Sequence, residues 1–506
     1  MSPLSADVWF WAMGRGMQAA ARELRAPFGG FETATTEGGW AYEHALEPDW
    51  DPDPGALRKA ALAVHERWEH ELAPHAVEIT EELRRMRPEQ PPPADAAALL
   101  DRLLELCLAQ WRLHFLAVVP VHLARELVHD AYVEHLGKRD ETEPYRLIEG
   151  LPNETLAADE VLWEIAQLAR ELDVADLVLE LPAAAALGRL AETHHGRRVL
   201  GALGAYLERY GGRSRLHELS EPRVAERPEL ALDAVRLFLE NPGDLAAERR
   251  AKAAARDRLE EETLARIEDA GERADFADLL AHVKRAVPLE ESHAYVIDYP
   301  GLAAVREALL GFGRRLAAQG RLDDPGDVFM LERDELRAAV LDDWGPRLQG
   351  IAAERAAALA EARRRTPKPW LGPAPPDDDV PPAVAKFYGV PGTARLDGNV
   401  LHGTAASAGR AAGRVRLVRS RDDFARVRSG DVVVCTTTTP AWTPLFGSIA
   451  ALVTDTGGVL SHAAVVAREY SIPAVVGAEV ATTEIPEGAH VEVDGAAGTV
   501  TILADA

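Results

Sequence analysis

The sequence predicts a multidomain protein in which a large, mainly α-helical domain is followed by a small α/β domain. Three observations carry that prediction. From Ala56 to Glu361, apolar residues recur at three- and four-residue intervals in a background rich in Ala, Leu, Arg and Glu, which is the period of amphipathic helices. From Thr366 to Pro382 (TPKPWLGPAPPDDDVPP), prolines and acids displace helix formers, and such a segment reads as a semi-rigid linker. Beyond it, short β-branched runs alternate with short helical stretches, as in a compact α/β domain. The expected boundaries are a helical substrate-binding domain over 1–365, a linker over 366–395 and an α/β domain over 396–506.

The helical pattern is clearest in LLDRLLELCLAQWRLHFLAVV (from Leu99) and TLARIEDAGERADFADLLAHV (from Thr263). Breaks fall at Arg87 to Pro93, at Tyr210 to Pro222 and at Pro325–Gly326, where Pro and Gly interrupt helices. Tryptophans near the start (WFWAMGRGM) sit at helical spacing and read as core. Strands are expected at Gly413 to Val418, Asp431 to Cys435, Ala451 to Thr454, Ala474 to Val476, Ala489 to Val493 and Thr499 to Leu503. No internal repeat is evident.

Composition narrows the function. A chain of 506 residues exceeds what one core fills, and 47% hydrophobic content excludes disordered and fibrous classes. A net charge of −26, from 82 acids against 56 bases, disfavours contacts to a phosphate backbone, so no nucleic-acid partner is expected. Cys107 and Cys435 match neither a disulfide framework nor a metal-ligand spacing, which suggests a reducing compartment. The N-terminus lacks the pattern of a signal peptide, and the longest apolar run, Phe115 to Pro120 with its flanks, is too short to span a bilayer. A cytoplasmic protein without a membrane partner is expected.

The segment that carries chemistry is Thr454 to Gly477, TDTGGVLSHAAVVAREYSIPAVVG. A strand ends, Gly457 and Gly458 permit a tight turn, Ser461 is placed to cap, and a helix begins near His462. Backbone N–H groups and the positive end of the helix dipole suit a dianionic phosphoryl group there, and neutral imidazole is a competent nucleophile. Arg468, two turns on, is placed either to neutralise phosphate or to pair with Glu469.

The full string closely resembles the phosphohistidine signature of the phosphoenolpyruvate-utilising enzymes, the superfamily of phosphoenolpyruvate synthase, pyruvate phosphate dikinase and rifampin phosphotransferase. LHGTAASAGRAAGRVRLV (Leu401 to Val418) resembles the opening of that swivelling domain, and VDGAAGTVTIL (Val493 to Leu503) resembles its closing hairpin. PAWTPLF (Pro440 to Phe446) is most similar to the rifampin phosphotransferase branch. The resemblance implies that His462 carries the phosphoryl group. In the dikinases the residue two before the histidine is a regulatory threonine; Leu460 stands here, so that regulation is not expected.

The resemblance extends into the helical region. YGGRSRLHELSEPR (Tyr210 to Arg223) resembles a pattern of the rifampin phosphotransferase substrate domain, as does DDPGDVFMLERDEL (Asp323 to Leu336). It implies phosphate or substrate binding by Arg213, Glu218, Arg223 and Asp327, with a structural ion-pair network as the alternative. LEESHAYVIDYPGLAAVRE (Leu289 to Glu307) aligns where relatives place a basic pair near the transferred phosphate. Here Glu290, Glu291, His293 and Asp298 appear instead, and His293 with a carboxylate is the candidate general base on a substrate hydroxyl. The remaining histidines, His114, His122 and His129 among them, read as structural or exposed, and no metal-ligand set is assigned.

Family members normally carry an ATP-grasp domain that loads the histidine, and no Gly-rich phosphate loop followed by lysine precedes Gly201. The leading expectation is a substrate-plus-carrier subunit loaded by a separate ATP-grasp protein, the division that phenylphosphate synthase shows, with transfer to a small-molecule acceptor. Mg2+ and, through the partner, ATP are the cofactors this implies. The linker supplies a hinge for rigid-body travel. Two alternatives stay open: a stand-alone enzyme using His462 as acid or base in elimination or condensation, and a non-catalytic phosphocarrier or regulatory module.

Overall fold

The structure is a computed structural model of the chain, describing residues 1–36, 39–137, 143–214, 218–240, 243–342, 347–365, 371, 386, 389, 394–419, 421–438 and 442–503, without the side chains of 421, 422, 425, 443 and 444. The linker 366–395 thus lies outside the described residues save Leu371, Lys386, Gly389, Ala394 and Arg395. So do Pro440 and Ala441 of the PAWTPLF segment.

Two compact units emerge, and they do not follow the boundary between 1–365 and 396–506. One comprises Met1–Ala124, Gly212–Arg223 and the described part of Arg285–Pro373; the other comprises Arg125–Gly211, Val224–Lys284 and the described part of Ala374–Ala506.

Among the described residues, the regular structure of the first unit is helical apart from a hairpin of β1 (Phe31–Thr35) and β2 (Ala41–Ala45) and an isolated bridge between Ser214 and Arg223. Its helices start where the chemistry dictates. Asp53 accepts from the N–H groups of Gly55 and Ala56, and Pro54 occupies the first turn of Pro54–Arg67, where its missing N–H costs nothing. The apolar stripes of Trp11–Leu24, Ala73–Arg85, Pro93–Leu136 and Asp298–Ala318 meet in one core with Leu100, Leu103, Trp111, Leu309, Phe312 and Phe329. The early tryptophans join it: Trp9 is 1% exposed and meets Trp111 edge-on at 5.1 Å. By length and composition alone the 44-residue helix Pro93–Leu136 passes for a membrane span, as buried core helices also do, and 56% of its most apolar window is buried within the protein.

The second unit joins the helices Glu154–Glu171, His194–Tyr210, Pro228–Glu240 and Leu245–Arg266 to a nine-stranded sheet. Its strands are β3 (Arg395–Asp397), β4 (Val400–His402), β5 (Thr404–Ser407), β6 (Arg410–Leu417), β7 (Val432–Cys435), β8 (Ala451–Thr454), β9 (Ala474–Val476), β10 (His490–Asp494) and β11 (Thr499–Ile502). The order is β3-β4-β11-β10-β6-β7-β8-β9-β5, with β6 to β9 mutually parallel and the flanking pairs antiparallel. Parallel strands are buried on both faces, which is why these read as unbroken Val-rich runs. Along β7, Val433 and Cys435 face a core with Trp442, Phe446, Ala463 and Val466, while Val432 and Val434 face one with Val415, Val453 and Val491. Cys107 and Cys435 are both fully buried and free, and burial pushes both thiols up.

Candidate functional site

The histidine loop is built at the end of β8. Thr456 is tied to the chain beyond β7, its N–H donating to the Thr436 carbonyl at 3.0 Å and its hydroxyl to the same oxygen at 2.9 Å. Gly457 then adopts φ +113°, and a Cβ there would stand 2.8 Å from Ser461 Oγ. The glycine is needed for both its conformation and its lack of bulk. Ser461 caps the helix His462–Glu469, accepting from Ala464 N–H at 3.4 Å.

His462 is therefore the first residue of its helix, half-buried, with Nδ1 3.0 Å from Thr438 Oγ1. When Nδ1–H donates to Thr438, Nε2 holds the lone pair and is the nucleophilic nitrogen. Thr438, 6% exposed, escaped the sequence reading; its only signal is the TTTTP run after β7, which marks a loop but not which hydroxyl turns inward. Leu460 is 2% exposed, so the position of the dikinases' regulatory threonine is inside the protein here.

Arg468 reaches back from the last turn of the helix to the loop that precedes it. It is 5% exposed and donates to the carbonyls of Ala406 at 2.9 Å and Val459 at 2.8 Å, with Glu149 Oε1 at 3.3 Å from its Nε. Its chemistry is that of a clamp on the loop, because Val459 lies just before Ser461. Neighbouring Glu469 accepts from Gly150 N–H, and burial pushes its carboxyl up. Tyr470 hydrogen-bonds Asp159.

In the helical unit, residues far apart in sequence meet around Asp298, the first residue of Asp298–Ala318. Asp298 is 4% exposed; its Oδ1 is 2.8 Å from His114 Nδ1 and its Oδ2 is 3.3 Å from His293 Nε2. The two imidazole rings lie 4.7 Å apart. Burial alone would raise the Asp298 carboxyl, but the two histidines outweigh it and hold the group well below the usual range. Burial alone would lower His293, yet the Asp298 charge leaves it raised.

His293 Nδ1 faces the Leu289 carbonyl at 2.8 Å. Both its nitrogens thus face protein groups, and His293 is one arm of a three-residue cluster. His114 is another, and it had read as structural because its partners lie about 180 residues downstream. The signal available was His114 and His122, eight residues apart along one helix. His122 Nε2 is 3.5 Å from Glu290 Oε1.

Glu291, Tyr295, Tyr299 and Arg213 surround the same region: Arg213 donates to Tyr295 Oη at 3.4 Å, and Tyr295 meets Tyr299 edge-on at 5.0 Å. Glu218 and Arg223 stand elsewhere. Glu218 accepts from Ser2, Ser5 and Ser220, and these bonds outweigh burial to lower its pKa; it anchors the first turn of the chain. Arg223 borders a cleft with Arg84, Arg87, Glu307 and Arg314. Asp327 closes a capping box with Asp324. Among the described residues, two groups have metal-binding spacing: His114, His293 and Asp298, and the more open Glu126, His129 and Asp130.

Comparison with known proteins agrees with this layout. Residues 427–498 match the mobile domain of phosphoenolpyruvate-utilising enzymes, and residues 114–291 match the rifampicin phosphotransferase fourth domain. The chain is 35% identical over 410 residues to chondramide synthase cmdD of Chondromyces crocatus, covering 78% of this chain and 10% of that protein. It is 31% identical over 410 residues to the uncharacterized phosphotransferase YvkC of Bacillus subtilis (81% and 49%) and 34% identical over 361 residues to a rifampicin phosphotransferase of Streptomyces sp (66% and 39%). The chain thus spans about half or less of the length of these relatives. With a mobile-domain match around His462 and a fourth-domain match in its helices, the chain resembles the rifampicin phosphotransferases and other phosphoenolpyruvate-utilising enzymes in both regions.

Proposed function

We propose that this chain is the substrate-plus-carrier part of a phosphotransferase: His462 accepts a phosphoryl group from a separate ATP-grasp protein and passes it to a hydroxyl of a small-molecule acceptor. The observation that carries the reading is the placement of His462 as the first residue of a helix behind the Gly457–Gly458 turn, with Nδ1 3.0 Å from Thr438 Oγ1, a pairing that makes Nε2 the nucleophile when Nδ1 carries the hydrogen. Relatives named as rifampicin phosphotransferases support the same chemistry.

In the second step the acceptor oxygen attacks phosphorus, the P–Nε2 bond breaks, and the imidazole leaves neutral. The acceptor's proton is taken up at the His114–Asp298–His293 cluster, and Arg213, Tyr295 and Tyr299 shape the acceptor's surroundings. Mg2+ bound with the nucleotide on the loading partner would offset phosphate charge. Travel of the mobile domain on the 366–395 linker brings the carried group to the acceptor.

The test is intact-mass and 32P analysis of the purified chain with ATP, Mg2+ and candidate ATP-grasp proteins. Acid-labile label that requires both the partner and His462, and is absent from His462→Ala, supports the proposal. A folded chain left unlabelled by every candidate, but turning over a substrate without nucleotide, would replace it with acid–base catalysis by His462. Label that is stable to every acceptor offered would make the chain a phosphocarrier alone.

A further inference from the structure

We infer that His114, His293 and Asp298 form a binding site for one divalent transition-metal ion of the zinc class. Three elements of the helical unit converge there: His114 comes from the middle of Pro93–Leu136, His293 from Leu289–Val296, and Asp298 opens the next helix after a single intervening residue, Ile297. The convergence is enforced by packing. Gln110, one turn before His114, donates to the Ile297 carbonyl at 2.6 Å. Gly301, one turn after Asp298, lies so close to Gln110 that a Cβ would stand 1.7 Å from its Nε2. Only a glycine lets the long helix approach the junction this closely.

The donor atoms lie within 4.8 Å of one another, so one ion at about 2.0–2.2 Å from each draws them together by side-chain adjustment. Two imidazole nitrogens and one carboxylate oxygen are the donor set of catalytic zinc sites, with a fourth position left for water or substrate. Magnesium and calcium prefer oxygen ligands alone.

The second, independent observation is the state of His293. Its Nδ1 faces a carbonyl, which can only accept, so Nδ1 carries a hydrogen and Nε2 is the nitrogen that a cation would engage in place of a proton. Nε2 is fully buried on a side chain 6% exposed, and although it is 3.3 Å from Asp298 Oδ2 it does not meet hydrogen-bond geometry with that oxygen. A ring oriented by a backbone carbonyl, with its other nitrogen aimed at a buried carboxylate, is the outer-sphere arrangement of a metal-ligating histidine. Trp111 and Phe115 wall the site on the His114 side, with ring centroids 5.0 and 4.7 Å from the imidazole. Glu291, close enough for its charge to act on His293, adds negative potential. The assignment concerns binding alone and does not depend on phosphoryl transfer through His462.

The test uses the full chain, stripped with chelator and titrated with Zn2+ by calorimetry and, separately, with Co2+ by visible absorption. One equivalent of Zn2+ is expected to bind, with a tetrahedral Co2+ spectrum and a raised thermal midpoint. His114→Ala and His293→Gln are expected to lose the Co2+ spectrum and weaken Zn2+ binding by at least about 100-fold. Asp298→Asn, nearly isosteric, serves as the fold-preserving variant and is expected to lose the midpoint shift while remaining folded by circular dichroism. His462→Ala is expected to bind as wild type, so failure of the carrier reading and failure of this one are separable. His129→Ala removes the other candidate cluster. Absence of stoichiometric binding at micromolar Zn2+, binding that survives both His114→Ala and Asp298→Asn, or binding abolished by His129→Ala would each overturn the assignment.

Discussion

Replacing Thr438 by valine tests the nucleophile assignment directly. The substitution keeps shape and removes the hydroxyl 3.0 Å from His462 Nδ1. Two tautomers of the neutral ring compete, and only the one with hydrogen on Nδ1 leaves a lone pair on Nε2. The Thr438 hydroxyl can serve either tautomer, but as Nε2 attacks, the ring gains positive charge and Nδ1 can only donate, so the Thr438 oxygen stabilises the attacking form. A hydrogen bond of about 0.5–1.5 kcal/mol net, at about 1.36 kcal/mol per tenfold, makes that worth roughly 2- to 13-fold in rate. The expected result is labelling slowed by roughly 2- to 13-fold in Thr438→Val and restored in Thr438→Ser. Phosphoramidate, a small chemical phosphoryl donor, allows the rate to be followed by 31P NMR without a protein partner at pH 8, where imidazole is neutral. Wild-type rates in Thr438→Val, or Thr438→Ser as slow as the valine variant, would refute the reasoning.

Two further substitutions probe the loop and the anchor. Gly457→Ala forces a Cβ to 2.8 Å from Ser461 Oγ at φ +113°; a cost of about 1–3 kcal/mol is expected, seen as a lower thermal midpoint and slower labelling of His462. Glu218→Gln removes a buried charge that accepts from three serines, at a cost of about 1.5–3 kcal/mol. The folded pKa of Glu218 is depressed, so its contribution is present above the unfolded value near 4.3 and is lost as pH falls through the folded value. Melting curves of wild type and Glu218→Gln should therefore differ at pH 7 and converge in acid; a constant gap across pH would show that the glutamate's charge is not what anchors Ser2 and Ser5.

Local chemistry was readable and long-range pairing was not. The glycine turn, the serine cap and the helix starting at His462 follow from adjacent residues, so the loop could be built before any tertiary contact was known. Arg468 shows the limit: its position two turns into the helix is visible, but its targets, the carbonyls of Ala406 and Val459 and the Glu149 carboxylate, come from three other places in the chain. The Asp298 cluster is the same problem on a larger scale, since periodicity marks which face of a helix is buried but not which histidine meets which acid. The compact units likewise diverge from the compositional boundary. The linker's prolines mark a change of composition along the chain, whereas Trp442, Phe446 and Tyr470 pack in a core that also touches Leu237 of the helical sequence.

The two cysteines offer an unplanned instrument. Cys107 lies in the core of the helical unit and Cys435 within β7, one in each compact unit, and both thiols are fully covered. A thiol-trapping reagent would therefore pass over the native protein and capture each cysteine only when its own unit opens. Peptide mapping of the trapped adduct over time would report the opening rates of the two units separately, in one unmodified sample. For the same reason a cysteine introduced at the surface would carry a fluorophore with almost no background from the native thiols.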